Sequence, residues 1–400
     1  MILHGTGNRA ANPSLELCYM ERDHFDEEHQ LFREAFRRFV AAELVPNNTR
    51  WEAAGICDRS MFNAAGSAGF LGPQVDQSFG GAGVDDFRFN QIIMEEFELA
   101  GVGSAGSGIA THNDIVIPYF VEFGTQEQKQ KWLPGLCSGD LISAIAMSEP
   151  SVGSDLGRLT TTATLDGDHY VVNGAKTFIS NGINADVLVT AVRTGTDRHR
   201  GITLLVIERD MPGFSRGSNL NKIGRHCQDT AELSFADCRV PVANRLGEEN
   251  QGFYYMMSNL AQERMNISIS AIAAAQYSFN MTLAYVKERQ AFGQAIGSFQ
   301  NSRFAMAEMA TEIKIGQAFV DRCVVAHNKG ELTAEEAAMA KWWTTELQTT
   351  VNDRCLQLHG GYGYIEEYNI ARAWRDGRVQ TIYGGTTEIM KEIVGRSLGL

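Results

Sequence analysis

Apolar residues recur at three- and four-residue spacing from about Phe25 to Cys137. Leu31, Phe32, Ala35, Phe36 and Phe39 would share one face of a helix, and the stretches 87–99 and 126–136 read the same way. Breaks at Gly69-Phe-Leu-Gly-Pro73 and Gly80-Gly-Ala-Gly83 separate these segments. From about Leu141 to Glu249 the texture becomes β-rich. Thr160–Thr164 and His169–Val172 flank Asp166-Gly167, a hairpin signal, and Val187–Val192, Ile202–Ile207 and Ala231–Phe235 are further short strands. Asn173-Gly174 and Asn181-Gly182 read as turns. Helical spacing returns after Gly252. Met306, Met309, Ile313, Val320 and Cys323 form one long face, interrupted by Gly316, and Ala337, Ala340, Trp343, Leu347 and Val351 form the next. The pattern predicts an α+β chain. An N-terminal extension (1–24) precedes an N-terminal helical domain (25–140), a middle antiparallel β domain (141–249) and a C-terminal four-helix bundle (250–400).

Composition narrows the function. The 400 residues carry a net charge of −13, which argues against nucleic acid or an anionic membrane surface as partner. The seven scattered cysteines form no CxxC and read as reduced thiols, so a cytoplasmic location is expected. No run of 18 apolar residues suggests membrane insertion, and the first 25 residues resemble neither a signal peptide nor an Arg-rich transit peptide. Gly5-Thr-Gly7-Asn-Arg-Ala10 and Gly101-Val-Gly103-Ser-Ala-Gly106 loosely match a dinucleotide fingerprint, but neither follows a strand. His24, Glu27, Glu28 and His29 read as polar residues on a helix exterior rather than a metal site, and no metal is expected.

Six segments in order carry the chemistry: Ala146-Met-Ser-Glu-Pro-Ser-Val-Gly-Ser-Asp155, Phe178-Ile-Ser-Asn-Gly182, Lys222 to Pro241, Glu288-Arg-Gln-Ala-Phe-Gly293 with Gln300, Gln357-Leu-His-Gly-Gly-Tyr-Gly-Tyr364, and Ile382-Tyr-Gly-Gly-Thr-Thr-Glu388. Together they resemble the acyl-CoA dehydrogenase family of flavoproteins over about residues 25–397, and the C-terminal half is most similar to its long-chain members. The resemblance implies FAD. Met147, Ser148, Phe178, Ile179 and Ser180 match positions at the flavin, with Ser154 at the turn shared by cofactor and substrate. Arg289, Phe292 and Gln300 match the family's reach to the diphosphate of a neighbouring subunit's FAD. Gln357, Leu358, His359, Gly360 and Gly361 match the loop around the adenosine part, and the glycine pair permits close approach of main chain to ligand. Thr386, Thr387 and Glu388 match the terminal FAD contacts, and would equally start a helix.

For the substrate, the resemblance implies Ser154, Tyr254, Arg264, Gly384 and Gly385. Tyr254 could also be a buried helix aromatic, and Arg264 a core arginine held by a carboxylate. Most relatives place the catalytic glutamate in Tyr-Glu-Gly-Thr, whereas this chain has Tyr383-Gly384-Gly385-Thr386. Long-chain and isovaleryl-type members place it earlier, just before an arginine, and Glu263-Arg264 matches that pattern. Glu263 is therefore the expected base, with Gly384 leaving room for its carboxylate. Burial beside an acyl chain should raise its pKa.

The implied reaction is α,β-dehydrogenation of an acyl-CoA to a trans-2-enoyl-CoA, with electrons passed to electron-transferring flavoprotein. An oxidase-like enzyme using dioxygen and a non-catalytic CoA-ester-binding subunit are the competing readings. The glycine-rich run 101–108 suggests a deep pocket for a long or bulky acyl chain. A site shared between subunits implies a homotetramer.

Overall fold

The computed structural model describes residues 22–400; the Gly5–Ala10 motif and Cys18 lie outside them. Seven helices come first: α1 (Glu27–Phe39), α2 (Asn48–Ala54), α3 (Ser60–Ser67), α4 (Phe87–Leu99), α5 (Gly103–Ala110), α6 (Ile117–Phe123) and α7 (Gln126–Ser138). Strands β1 (Ser143–Ala146), β2 (Thr162–Asp166), β3 (His169–Ser180), β4 (Val187–Arg193), β5 (Ile202–Glu208), β6 (Phe214–Asn219), β7 (Thr230–Pro241) and β8 (Arg245–Leu246) follow. The long helix α8 (Gly252–Glu288) leads through a small hairpin, β9 (Gln290–Ala291) and β10 (Gln294–Ala295), to α9 (Gln300–Asn328), α10 (Ala334–His359), α11 (Asn369–Gly377) and α12 (Thr387–Ser397).

Local chemistry sets several boundaries. Thr125 and Gln128 cap α7 reciprocally, as Thr333 and Glu336 cap α10. Thr386 accepts from the Ile389 amide and starts α12. The first helix differs from its sequence reading in two places. Leu31 is 61% exposed, while His29 is fully buried, accepting from the Asp26 amide at Nδ1 and bonded to Asp86 at Nε2. His24 likewise turns inward to Gln91. The expected polar exterior is thus partly a buried hydrogen-bonded seam. Asp26, Glu28 and His29 cluster closely, but both His29 nitrogens are engaged.

The sheet runs β6-β7-β3-β2-β4-β5-β8. Most pairs are antiparallel as expected, and Asp166 pairs with His169 across the β2–β3 hairpin. The sheet is nevertheless mixed, because β1 runs parallel to β4, in register from Ser143↔Val187 to Ala146↔Thr190. This carries the chain from the first helical layer directly into the sheet, with no hairpin to reverse it. Asn173-Gly174 is not a turn. It is a bulge within β3, where Gly174 has φ +147° and a Cβ would lie 2.6 Å from Thr161 Oγ1.

The apolar runs of β4 and β5 have a physical reason. Val187, Val189 and Ala191 pack toward α6 and α7, whereas Leu188 and Val192 face the opposite cluster around Tyr170 and Phe235. Strands buried on both faces lose alternation. The N-terminal helices and the bundle share a single apolar cluster, joining Phe36, Phe97 and Ile109 to Ile269, Met309 and Val351. Gly316 sits where three helices meet, since a Cβ there would lie 2.7 Å from Trp343 and 2.8 Å from Ile272. Trp343 itself is 38% exposed rather than a full member of that face.

The glycine-rich run 101–108 is also explained by packing. A Cβ at Gly101 would meet the Tyr277 hydroxyl at 2.4 Å, one at Gly103 the Glu98 carboxylate at 2.2 Å, and one at Gly106 the Phe97 ring at 2.3 Å. Neighbouring side chains fill the volume that the sequence suggested was open. No described helix is long and apolar enough to cross a membrane.

Candidate active site

Glu263 lies in the first half of α8 and is buried. Burial raises its carboxyl from an ordinary 4.5 to about 7, against the opposing pull of the Tyr119 hydroxyl and the Arg264 charge. The Tyr119 hydroxyl, on α6, donates to Glu263 Oε1 at 3.3 Å. Ile267 follows Glu263 by one helical turn, and Gly384 approaches that same face. Gly384 has φ +61°, and a Cβ there would stand 2.2 Å from Ile267 Cδ1. The turn therefore presents bare backbone to the wall that carries the carboxylate.

A buried polar chain fixes this turn relative to α8. Tyr383 donates to Gln380, Gln380 to Ser270, and Ser270 to Glu98, with Arg225 donating to Glu98 from the β6–β7 loop. Gly385 O accepts from Lys341 Nζ at 2.7 Å. Burial first, and then the Arg264 charge, lower Lys341 to about 8, with Glu388 opposing. Arg264 is buried with its Nε unbonded, and it makes no hydrogen bond or ion pair among the described residues. The carboxylate nearest to it in effect is that of Glu263, which acts on it through charge alone, without a hydrogen bond among the described residues. Thr387 Oγ1, also buried, has no partner either.

A second group of expected residues gathers at the start of the sheet. Ser148 O accepts from the Thr177 amide, and Met147 O from Lys176 Nζ. Glu149 receives the Thr160 and Thr161 amides and Lys176 Nζ at 2.9 Å, with both charged side chains shut off from solvent. Burial alone would raise Glu149, yet Lys176 and the threonine donors bring it to about 2; Lys176 is lowered by burial to about 8. The pair is ionised at neutral pH and clamps the 147–150 turn onto β3. There Phe178 sits at φ +60° and is 71% exposed, between buried Thr177 and Ile179. A left-handed aromatic facing solvent is strained and leaves its apolar ring uncovered in this chain. Ser180, half-buried, ends β3, and Asn181 ties that corner to Gly108 and Ser143.

A third group lines a separate open cavity of about 500 Å³. Its walls include Arg289, Gln357, Leu358, His359, Gly360 and Gly361, and none of Met147, Ser148, Phe178, Ile179 or Ser180. Arg289 lies 5.5 Å from the Tyr362 ring centroid and makes no ion pair among the described residues. A Cβ at Gly360 or Gly361 would meet nothing within 4 Å, so the pair faces open space. His359 is buried and stacked on Tyr285 at 4.2 Å. Phe292, at the hairpin tip, is 96% exposed, and Gln300 opens α9 at the surface. Thr386 and Glu388 open α12, with Glu388 in solvent.

Ser154 and Tyr254 are both exposed. Between them lies a basic loop that sequence reading passed over. Arg198 pairs with Asp155 at 2.7 Å, His199 stacks on Phe253 at 4.4 Å, and Tyr254 interacts with Arg200. The run Arg198-His-Arg200 was visible as charge, but its place beside Ser154 was not. Tyr119 was also missed. Its segment reads as an ordinary apolar helix, and no spacing links it to a residue 144 positions away.

Comparison with known proteins assigns all three parts of the chain. Family models described as the N-terminal, middle and C-terminal domains of acyl-CoA dehydrogenase match residues 26–140, 144–238 and 250–399. The long-chain specific acyl-CoA dehydrogenase of Sus scrofa mitochondria is 44% identical over 377 residues, 94% of this chain and 87% of that protein. A crystal structure of acyl-CoA dehydrogenase from Geobacillus kaustophilus superposes with a TM-score of 0.92 at 52% identity, covering 94% of this chain and 99% of that one. A Mycobacterium smegmatis glutaryl-CoA dehydrogenase, solved in complex with FADH2, has a TM-score of 0.87 at 26% identity, covering 94% and 95%.

Proposed function

Because the chain belongs to the acyl-CoA dehydrogenase family and is an oxidoreductase of the CH–CH group of acyl-CoA thioesters, we propose that it uses FAD and that Glu263 is its base. The observation that carries this reading is a buried carboxylate one helical turn from Ile267, the residue that a Cβ at Gly384 would strike, in a turn where most relatives would place a glutamate. FAD, when bound, supplies the hydride acceptor for the substrate β-carbon. The remaining work falls to this chain. The backbone at Gly384 donates toward the thioester oxygen, which acidifies the α-proton. Glu263 takes that proton, and its raised pKa suits a base working near neutral pH. Arg264, buried with its Nε unbonded among the described residues, is assigned to the substrate side, while Ser154 and Tyr254 hold the exposed end of the thioester. The product is a trans-2-enoyl-CoA.

The residues present fit the cofactor. Phe178, Ser148 and Ser180 offer a strained apolar face beside hydroxyls for the flavin ring, with Met147 and Ile179 next to them. Arg289, which makes no ion pair among the described residues, lines the same cavity as the bare backbone of Gly360 and Gly361, which suits a dinucleotide anion, and Phe292 and Gln300 are assigned to it from the exposed hairpin and the start of α9. Glu263 and Arg289 mark the middle and the end of one helix, roughly 39 Å apart at the helical rise. A single FAD cannot lie at both within one chain. We therefore assign Arg289 and the Gln357–Gly361 loop to the FAD of a second copy, in a homotetramer. Thr386, Thr387 and Glu388 close the site from the start of α12.

Preference for long or bulky acyl chains rests on likeness to the long-chain specific relatives. Electron-transferring flavoprotein is the proposed acceptor and the cytoplasm the proposed location. The test is anaerobic addition of acyl-CoAs, from butyryl to palmitoyl, to the purified yellow protein. Bleaching of the flavin, with fast reoxidation by electron-transferring flavoprotein and slow reoxidation by dioxygen, supports the reading. No bleaching with any chain length overturns it, and rapid oxygen consumption would make the protein an oxidase.

A further inference from the structure

Tyr119 is fully buried, and a buried phenol needs a partner for its hydroxyl. That partner is Glu263 Oε1 at 3.3 Å, and no group among the described residues donates to Oε2. The two carboxylate oxygens are thus unequal before any substrate arrives. Asn259, one turn before Glu263 on the same face of α8, is also buried and lies beside the same phenol with its Nδ2 unbonded. Its effect is to ease ionisation of the phenol, opposite to that of burial and of Glu263.

Few other charges act here. On α8 the next residue is Arg264, with Lys341 of α10 behind it. From α6, Glu122 faces Tyr119. Asp114, between α5 and α6, is engaged by Asn90 and Asn266. The Gly384-Gly385 turn brings no charge. Among the described residues Tyr119 is the one group that hydrogen-bonds the carboxyl.

We propose that Tyr119 is the positioning residue of the base: it anchors Oε1, leaves Oε2 to take the substrate α-proton, and favours the ionised form of Glu263. The proton passes from the α-carbon to Oε2, giving a neutral acid; the α C–H electron pair becomes the new double bond as the β C–H bond breaks and its hydride leaves to the flavin acceptor that the dehydrogenation requires. A donor to the ionised form opposes the effect of burial, which otherwise leaves the base protonated over more of the working range. This rests on the assignment of Glu263 above.

The test is Tyr119→Phe in the FAD-loaded protein. FAD content and melting temperature should stay close to wild type. The acid limb of the pH profile for flavin reduction should move up by about 0.5–1 pH unit, the value of one hydrogen bond. Below that limb kcat should fall roughly three- to tenfold, with KM changed less than about twofold. The infrared band of the buried carboxylic acid should titrate with the same upward shift, independently of turnover. An unmoved limb and band, or a uniform loss at all pH values with a raised KM, overturns the proposal. If Tyr119→Phe fails to fold, 3-fluorotyrosine placed at position 119 keeps the shape and strengthens the donor. The limb should then move down, and an unmoved limb overturns the proposal. Wild-type protein that reduces no flavin with any acyl-CoA would sink the dehydrogenation reading instead, and the infrared titration would still judge Tyr119.

Discussion

Glu263 and Arg289 lie on one helix and its exit, yet their surroundings are opposite. Glu263 is enclosed. One oxygen is bonded by Tyr119, a neighbouring turn is stripped of side chains, and burial has moved its proton affinity. Arg289 is open, with no ion pair among the described residues and a cavity of about 500 Å³ that it lines. A base must be desolvated and oriented before substrate arrives, so a single chain builds its setting completely. A cation that recognises a phosphate has to remain unsatisfied until the anion arrives. The contrast separates a site that this fold finishes from one that it leaves to a ligand.

The contrast is broken most sharply at Glu263. Glu263→Gln keeps size and helix propensity but cannot accept a proton. Flavin bleaching should fall by about 10²–10⁴-fold or more, with FAD content unchanged, as read by stopped-flow absorbance and the visible spectrum. The same variant makes a stability prediction. Its folded carboxyl, at about 7, lies above the ordinary 4.5, so the stability it contributes is complete at acid pH and is lost as pH rises through about 7. The glutamine has no such loss. Glu263→Gln should therefore melt higher than wild type near about pH 8 and equally near about pH 4.

The clamp beneath Phe178 comes next. Lys176→Met strands the Glu149 carboxylate in a dry site and should cost about 3–5 kcal/mol in denaturant unfolding. Lys176→Met with Glu149→Leu should recover most of it. The open site should respond in affinity rather than in rate. Arg289→Ala should weaken FAD retention by roughly ten- to a hundredfold, the value of a charged hydrogen bond. Bleaching per bound flavin should stay unchanged, and gel filtration followed by the flavin-to-protein absorbance ratio reads both. If turnover per flavin falls as well, the two sites are not separable.

The smallest effect is at Gly384. Gly384→Ala must adopt φ +61° and push Ile267 Cδ1 aside, so about 1–2 kcal/mol of backbone strain should appear as a few-fold loss of activity. Ile267→Val should relieve part of the contact. For the same reason, moving the base by Glu263→Thr with Gly384→Glu should restore little activity until Ile267 is made smaller. Steady-state rates of the four variants decide this.

Much of the molecule is legible along the chain. Helices with a buried stripe, the β2–β3 hairpin at Asp166-Gly167 and the ordered motifs repeat local rules, and each is read within ten or so residues. Glu263 beside Arg264, with glycine at position 384, is also a local pattern. Other features depended on distant partners. Leu31 and His29 exchanged their expected exposure because Asp86 supplies a buried partner for the imidazole. Asn173-Gly174 became a bulge because Thr161 approaches the backbone there. The glycines of 101–108 suggested space, but Phe97, Glu98 and Tyr277 occupy it.

Periodicity, turn chemistry and motif order are properties of neighbouring residues, so the amino-acid sequence by itself determined the element types, their α–β–α order and the identity of the candidate base. Which atom faces which is a property of residues far apart in the chain. Only the tertiary structure decided that β1 joins the sheet in parallel, that the buried Arg264 Nε is left without a hydrogen bond among the described residues, and that Tyr119 reaches Glu263 across 144 positions. Burial and hydrogen bonding depend on what the folded chain brings within about 3 Å, and no local spacing encodes that distance.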